Sequence, residues 1–275
     1  MVNAVDILTE LEITKTAAAL AFLLYASFSD YKSREVSNSV WAVMAPLGFA
    51  LTFLEIYING FFQQQLLFFG ECFALTSAFA LVVFFAGGFG GADAKAFISL
   101  ALVLPFYPSN LLVPLAKEIS PISVNFFPLS VFNNSVLLAA FMAIVMLVYN
   151  IAWRLKTGIK LFGDAYGNSS LGKKIVVMIT GYKTSVDTMK QKWHIYPLED
   201  IENTEKESGR KLLLIPKDEG RDDVVKRLDE ATKVGKIKDN VWATPGLPFL
   251  IFVTAGLIVA LFMGDLVWNI IRLLF

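Results

Sequence analysis

Residues 84–97 read FFAGGFGGADAKAF. An apolar run breaks at Gly87, Gly88, Gly90 and Gly91, a carboxylate follows at Asp93, and apolar sequence resumes immediately. Glycine lets backbone turn tightly and approach another chain closely. Inside a bilayer, irregular backbone beside an acid is tolerated only where it is buried in protein or lines a wet cavity. This stretch therefore predicts a membrane protein with a polar cavity near Asp93.

Composition agrees with that solvent. Of 275 residues, 56% are hydrophobic, 24 are Phe and only 17% are charged, with a mean hydropathy of +0.59, values foreign to an ordinary soluble domain. The charges cluster: 18 of 24 Lys and Arg and 14 of 24 Asp and Glu fall within 154–240, which reads as a water-exposed domain. Its basic residues alternate with acids, so nucleic-acid binding has little support. Cys72 sits alone in an apolar run, read as a small buried or lipid-facing hydrophobe. His194 is the only histidine, leaving almost no material for a histidine-built metal site or triad.

A membrane helix needs about 20 mostly apolar residues. Six segments come close: 16–28, 39–58, 66–86, 94–116, 132–153 and 245–267. The expected fold is an all-α polytopic membrane protein of six helices, with a small α+β cytoplasmic domain inserted before the last. The boundaries are 1–153 for five helices, 154–243 for the soluble part and 244–275 for the sixth helix. The acidic start, with Asp6, Glu10 and Glu12, lacks the basic region of a cleavable signal peptide, so the first helix reads as a retained anchor. Lys32, Arg34, Lys95, Arg154, Lys156 and Lys160 all follow or break helices on one predicted face, which places that face in the cytoplasm and both termini outside. Five prolines between 105 and 128 predict an ordered outer loop that ends the fourth helix early. In the polar domain, 174–180, 192–196 and 211–215 carry strand-like composition, and 221–234 places Val224, Val225, Leu228 and Ala231 on one helical face.

A second acid, Asp30, lies in SFSDYKSREVSN (residues 27–38) and ends the first helix at the membrane boundary. Each acid has a bland reading, as an interfacial polar group or, for Asp93, a helix cap. Both on one face and each opening a loop, they read better as a pair. Two adjacent carboxylates cannot both ionise cheaply, so one holds a proton while the other acts as base on water. Which acid holds the proton is a property of the pair.

The two segments resemble those of the type IV prepilin peptidases, most closely the archaeal preflagellin and prepilin peptidases of the GxGD class. Asp30 is followed eight positions later by Asn38, with Val36 in the usual aliphatic place and Ser37 where bacterial members commonly have Pro. Gly90, Gly91, Ala92, Asp93 and Lys95 match the second motif in its archaeal form, 63 residues after the first acid. The resemblance covers 16–153 and the WATPGLPFL stretch before the last helix. It implies Asp30 and Asp93 as catalytic, Gly90, Gly91, Ala92, Asn38 and Lys95 as substrate-binding or loop-shaping, and no metal or other cofactor. It implies archaellin or pilin precursors as substrates: preproteins with a short basic leader, a Gly before the scissile bond and a retained hydrophobic helix. With one cysteine, the four-cysteine zinc region and methyltransferase activity of bacterial members are not expected.

Three rivals remain at this stage. A presenilin or signal-peptide-peptidase relative shares paired Asp but has nine helices, although Pro245, Gly246 and Leu247 are somewhat like the presenilin Pro-Ala-Leu element. A transporter would use membrane acids to bind a cation or relay protons. An assembly subunit would leave both acids replaceable. Glu35 reads as a solvated loop acid near Asp30, and Lys95 as a lipid-headgroup or orientation residue.

Overall fold

In a computed structural model of the chain, residues 4–60, 62–111, 115, 119–167, 169–204, 207–213, 220–237, 240–246 and 248–275 are described. The chain divides into two compact units, Met1–Ala139 with Pro248–Phe275, and Ala140–Leu247.

The first unit is helical. It contains α1 (Ala4–Ser33), α2 (Asn38–Ile58), α3 (Gln63–Phe85), α4 (Gly91–Val103), the short α5 (Pro121–Asn125) and the start of α6 (Phe127–Thr157). Close packing decides the arrangement: a Cβ on Gly48 of α2 would lie 2.1 Å from Val103 Cγ2, so only glycine lets α2 meet the end of α4. Ala96, Leu100 and Ala101 of α4 and Ala19, Leu23 and Ala26 of α1 are wholly buried in the same unit. After residue 247 the chain returns as α10 (Phe249–Met263) and α11 (Leu266–Leu274), which meet at a 54° bend. The bend is built in: Gly264 takes φ +71°, Asp265 Oδ1 accepts from the Val267 and Trp268 N–H groups, and Asn134 holds Gly264 O and the Leu266 N–H.

These elements correct several expectations. Among the described residues three helices, α2, α3 and α6, are long and apolar enough to cross a membrane, four if the bent α10–α11 pair is one span; six spans are not confirmed by length and composition. The fourth expected segment, 94–116, stops at Val103, leaving α4 about 20 Å long against a hydrocarbon core of about 30 Å. It is buried by its neighbours instead of facing lipid, and residues 112–114 and 116 of that segment lie outside the described residues. The first helix runs well beyond 16–28, but its apolar part is closed off by Lys15 and Asp30. Lys15 and Glu55 form a buried ion pair there, and Glu12 accepts from the Asn110 and Leu111 backbone N–H groups and from Asn110 Nδ2. The expected start of the last helix at Pro245 is also displaced, to Phe249.

The second unit holds the rest of α6, α7 (Leu171–Thr180), α8 (Val186–Gln191), α9 (Arg221–Lys233) and strands β1 (Tyr182–Ser185), β2 (Ile195–Pro197), β3 (Glu199–Thr204), β4 (Glu207–Leu212) and β5 (Asn240–Pro245). β5 is the centre of an antiparallel sheet ordered β1-β5-β2, and β3 pairs with β4 in a hairpin. The helix expected at 221–234 is α9, which buries Val225, Leu228 and Ala231. The strand expected at 174–180 is instead α7: Ser170 Oγ accepts from the Lys173 N–H, and Val177 packs inward at helical spacing. Its β-branched residues yield to that cap and to tertiary packing. The strand expected at 192–196 is displaced to β2. That at 211–215 coincides with β4 only at Lys211 and Leu212, and 214–215 lie outside the described residues. β1, β3 and β5 were not expected at all, and β5 consumes the WATP part of the stretch read as leading into the last helix.

Candidate active site

Asp30 sits three residues before the end of α1, and its backbone carbonyl accepts from the Arg34 N–H at 3.0 Å. The turn that follows is tied down by hydroxyls. Ser29 Oγ and Ser33 Oγ both donate to Glu35 O, and Ser33 Oγ also donates to Ser29 O. Ser37, where bacterial members of the resembled family commonly have Pro, takes φ −57°, a value proline also adopts, and caps α2 by accepting from the Ser39 N–H. Serine thus keeps the turn geometry by a side-chain bond where proline would keep it by its ring.

Asp93 is the third residue of α4, and its Oδ2 accepts from the Gly90 N–H at 2.9 Å, closing the first turn. The turn that delivers it is made at Gly87, with φ +80°. Gly90 and Gly91 have ordinary negative φ, but a Cβ on Gly90 would stand 3.2 Å from Asp93 Oδ2 and crowd the carboxylate. Between these glycines Phe89 turns inward, stacked on Phe97 at 5.4 Å and tilted against Phe249 at 5.6 Å. That ring locks the glycine loop to the start of α10.

The structure brings the two acids together. Both are half-buried, and Asp30 lies close enough to act electrostatically on Asp93. Each also faces a helix N-terminus, whose unpaired N–H groups favour negative charge. Asp93 caps its own helix, and the Leu250 backbone N–H at the head of α10 is directed to the Asp30 carboxyl. One turn earlier, Ser27 Oγ donates to Leu250 O and lies 2.7 Å from Thr254 Oγ1, pinning α1 to α10 just below Asp30. Lys95 donates to Asn38 Oδ1 at 2.6 Å, joining α4 to the head of α2 around the same centre. Ala92 lies beside Asp93 and packs against the core.

Two participants escaped the sequence reading. The first is the N-terminus of α10, signalled only by Pro245 and Pro248. Leu247, the third member of the presenilin-like element, lies outside the described residues. The second is Arg34, read only as an orientation signal. It is the one non-glycine among the described residues with positive φ, +58°, and its guanidinium acts on Asp30 while Nε is buried without a partner. A bulky residue in that strained conformation beside an acid is characteristic of functional sites. No sequence signal marks it, because the position after a helix is ordinarily left-handed only for Gly or Asn. A separate polar cavity of about 310 Å3 around Glu12, Glu55 and Asn110 sits at the other end of α1, about 27 Å from Asp30 along the helix.

A bundle of apolar helices in which two carboxylates approach from separate chain segments is the architecture of a membrane protein with two acids near one another at its helix ends. Comparison with known proteins places it further. The chain belongs to the Type IV leader peptidase family, whose sequence profile matches residues 17–154, and residues 173–266 match the profile of the Archaeal Peptidase A24 C-terminus Type II. It is a membrane-bound aspartic peptidase of the prepilin and preflagellin type. It is similar to a preflagellin peptidase of Methanococcus voltae, 29% identical over 269 residues covering 93% of this chain and 97% of the relative. Preflagellin peptidases of Methanococcus maripaludis and Methanocaldococcus jannaschii are 23% and 24% identical, each across 88% of this chain and 92% and 91% of their own lengths.

Proposed function

We propose that this chain removes the short basic leader from archaellin or type IV pilin-like preproteins, cutting after a glycine at the cytoplasmic edge of the membrane. The observation that carries this reading is the approach of Asp30 and Asp93 from separate helices in a chain whose family cleaves type IV leaders. Residues 1–153 with 244–275 form the membrane part, and 154–243 the soluble part, on the cytoplasmic side with both termini outside.

The chemistry follows from two acids sharing one water. The ionised acid takes a proton from water as its oxygen bonds to the scissile carbonyl carbon, and the protonated acid donates to the developing oxyanion. Collapse breaks the C–N bond: the amine leaves with the proton that came from water, and a hydroxyl of the tetrahedral gem-diol returns its proton to the other carboxylate as the C=O re-forms, so the dyad ends with one shared proton. Gly90 and Gly91 keep the approach to Asp93 narrow enough for an extended backbone, and the Lys95–Asn38 bridge holds the loop after Asp30 in place. A glycine before the scissile bond suits this crowded centre because any side chain would meet the same loop.

Arg34 extends the reading: its buried, unpaired Nε–H is a fixed donor for the substrate carbonyl beside Asp30. Arg34→Gln is expected to lower kcat by about 10- to 100-fold, the range for a charge-assisted hydrogen bond, with KM little changed. Arg34→Gly, which relaxes the left-handed backbone but also lacks the guanidinium, should be equally slow; full activity in Arg34→Gly would show that the side chain takes no part.

The central test uses purified chain in detergent and a preprotein carrying a basic leader and a Gly before its hydrophobic helix. One cut after that Gly is expected, and its replacement by Leu in the substrate should block release. Equal cutting of both substrates would discard the assigned substrate class.

A further inference from the structure

The end of α6 and the start of the soluble unit enclose a cavity of about 330 Å3. Arg154, Lys160 and Lys174 line it together with Phe162, Leu171 and Ile175. Elsewhere in this unit cations are commonly partnered: Lys190 and Lys233 with Asp229, Arg210 with Glu199, Arg227 with Asp200. Among the described residues, these three form no ion pair. Three like charges gathered in one cavity repel each other unless an anion sits between them.

The surface around the cavity is apolar where water would disfavour it. Leu155, Ile159, Leu171 and Ile175 are 79%, 47%, 78% and 53% exposed, and they alternate with Arg154, Lys156, Lys160, Lys173 and Lys174. Exposed aliphatic side chains interleaved with cations are the pattern of a segment lying in the lipid headgroup layer. The location agrees: α6 is long and apolar enough to span a membrane, and Arg154 and Lys156 form its last turn.

The geometry points to an anionic phospholipid as the occupant of this cavity, its phosphate held by Arg154, Lys160 and Lys174 and its glycerol and first methylenes against Phe162, Leu171 and Ile175. Basic pockets where a membrane helix meets its cytoplasmic flank take such headgroups. A basic leader peptide does not fit, since the cavity carries the same sign of charge. The assignment stands independently of the peptidase reading, because none of these residues belongs to the paired-acid centre.

The test uses the full chain in nanodiscs of phosphatidylcholine with or without phosphatidylglycerol, followed by native mass spectrometry of bound lipid. The unmutated chain should retain phosphatidylglycerol in preference to phosphatidylcholine. The variant R154Q/K160Q/K174Q should bind it roughly a hundredfold more weakly. K192Q/K226Q/K236Q, which removes as many exposed charges elsewhere in the unit, should bind as before. Single variants R154Q and K174Q, each about fivefold weaker, serve if the triple variant does not fold. Equal loss in both triple variants would overturn the site, because attraction would then come from the unit's overall charge. Equal retention of the two lipids would also overturn it, as would displacement of phosphatidylglycerol by inorganic phosphate at matching concentration, which would mark a free-phosphate site.

Discussion

Asparagine at position 93 is expected to slow leader release by about 10³-fold, within the range for removing one general acid–base group, while leaving the fold intact. The fold should survive because the Asn carbonyl oxygen can still accept the Gly90 N–H that Asp93 Oδ2 accepts now. What asparagine cannot do is hold or take the shared proton. Asp30→Asn should be as severe for the same reason, since its amide oxygen can still face the Leu250 N–H. Members of one proton-sharing unit do not contribute additively, so the double variant should be scarcely slower than either single one. Single-turnover cleavage of a preprotein measures all three. Full-rate cleavage by Asp30→Asn or Asp93→Asn would remove the dyad, and proton flux into liposomes lost in the same variants would identify a transporter instead.

The largest stability effect should come from the second unit, at Arg210. Glu199 is wholly buried and ion-paired with Arg210, and its other oxygen accepts from Tyr166 Oη at 2.5 Å. Lys183 donates to the same phenol oxygen at 2.9 Å and lies over the Trp242 ring. Burial pushes the Lys183 ammonium down to about 8, with the Glu199 charge opposing that shift and Arg210 reinforcing it. Arg210→Met would leave Glu199 buried with its main counter-charge gone, at a cost of about 3–5 kcal/mol. Glu199→Gln in the same chain should recover part of that loss, since it removes the stranded charge. Hydrogen exchange across β3 and β4 of the full chain in detergent reads the effect directly. Unchanged protection of those amides in Arg210→Met would show that the ion pair does not hold the hairpin.

Legibility in the sequence followed the range of the interactions concerned. The cores of α2, α3 and α6 could be read because a long apolar run decides its own fate in a bilayer, where the backbone must satisfy itself by helical hydrogen bonds. The helix α9 could be read because its apolar face recurs at 3.6-residue spacing. The strand expected at 174–180 failed where a serine cap and packing of Val177 outweighed β-branched composition. β5 was missed because WATP resembles the approach to a helix until β1 and β2 pair with it on both sides.

The sequence by itself determined that the chain is apolar enough for a membrane, that Asp30 and Asp93 stand at helix ends, and that a charged segment separates the last helix from the rest. Those properties depend on residues near one another along the chain. Only the tertiary structure decided that α4 is a short helix buried among its neighbours, that the head of α10 faces Asp30, and that Arg34 takes a left-handed turn beside it. The first two of these depend on groups 57 to 220 residues apart, Lys95 with Asn38 and Leu250 with Asp30, whose meeting is set by close packing such as that at Gly48 and Phe89 rather than by any local preference.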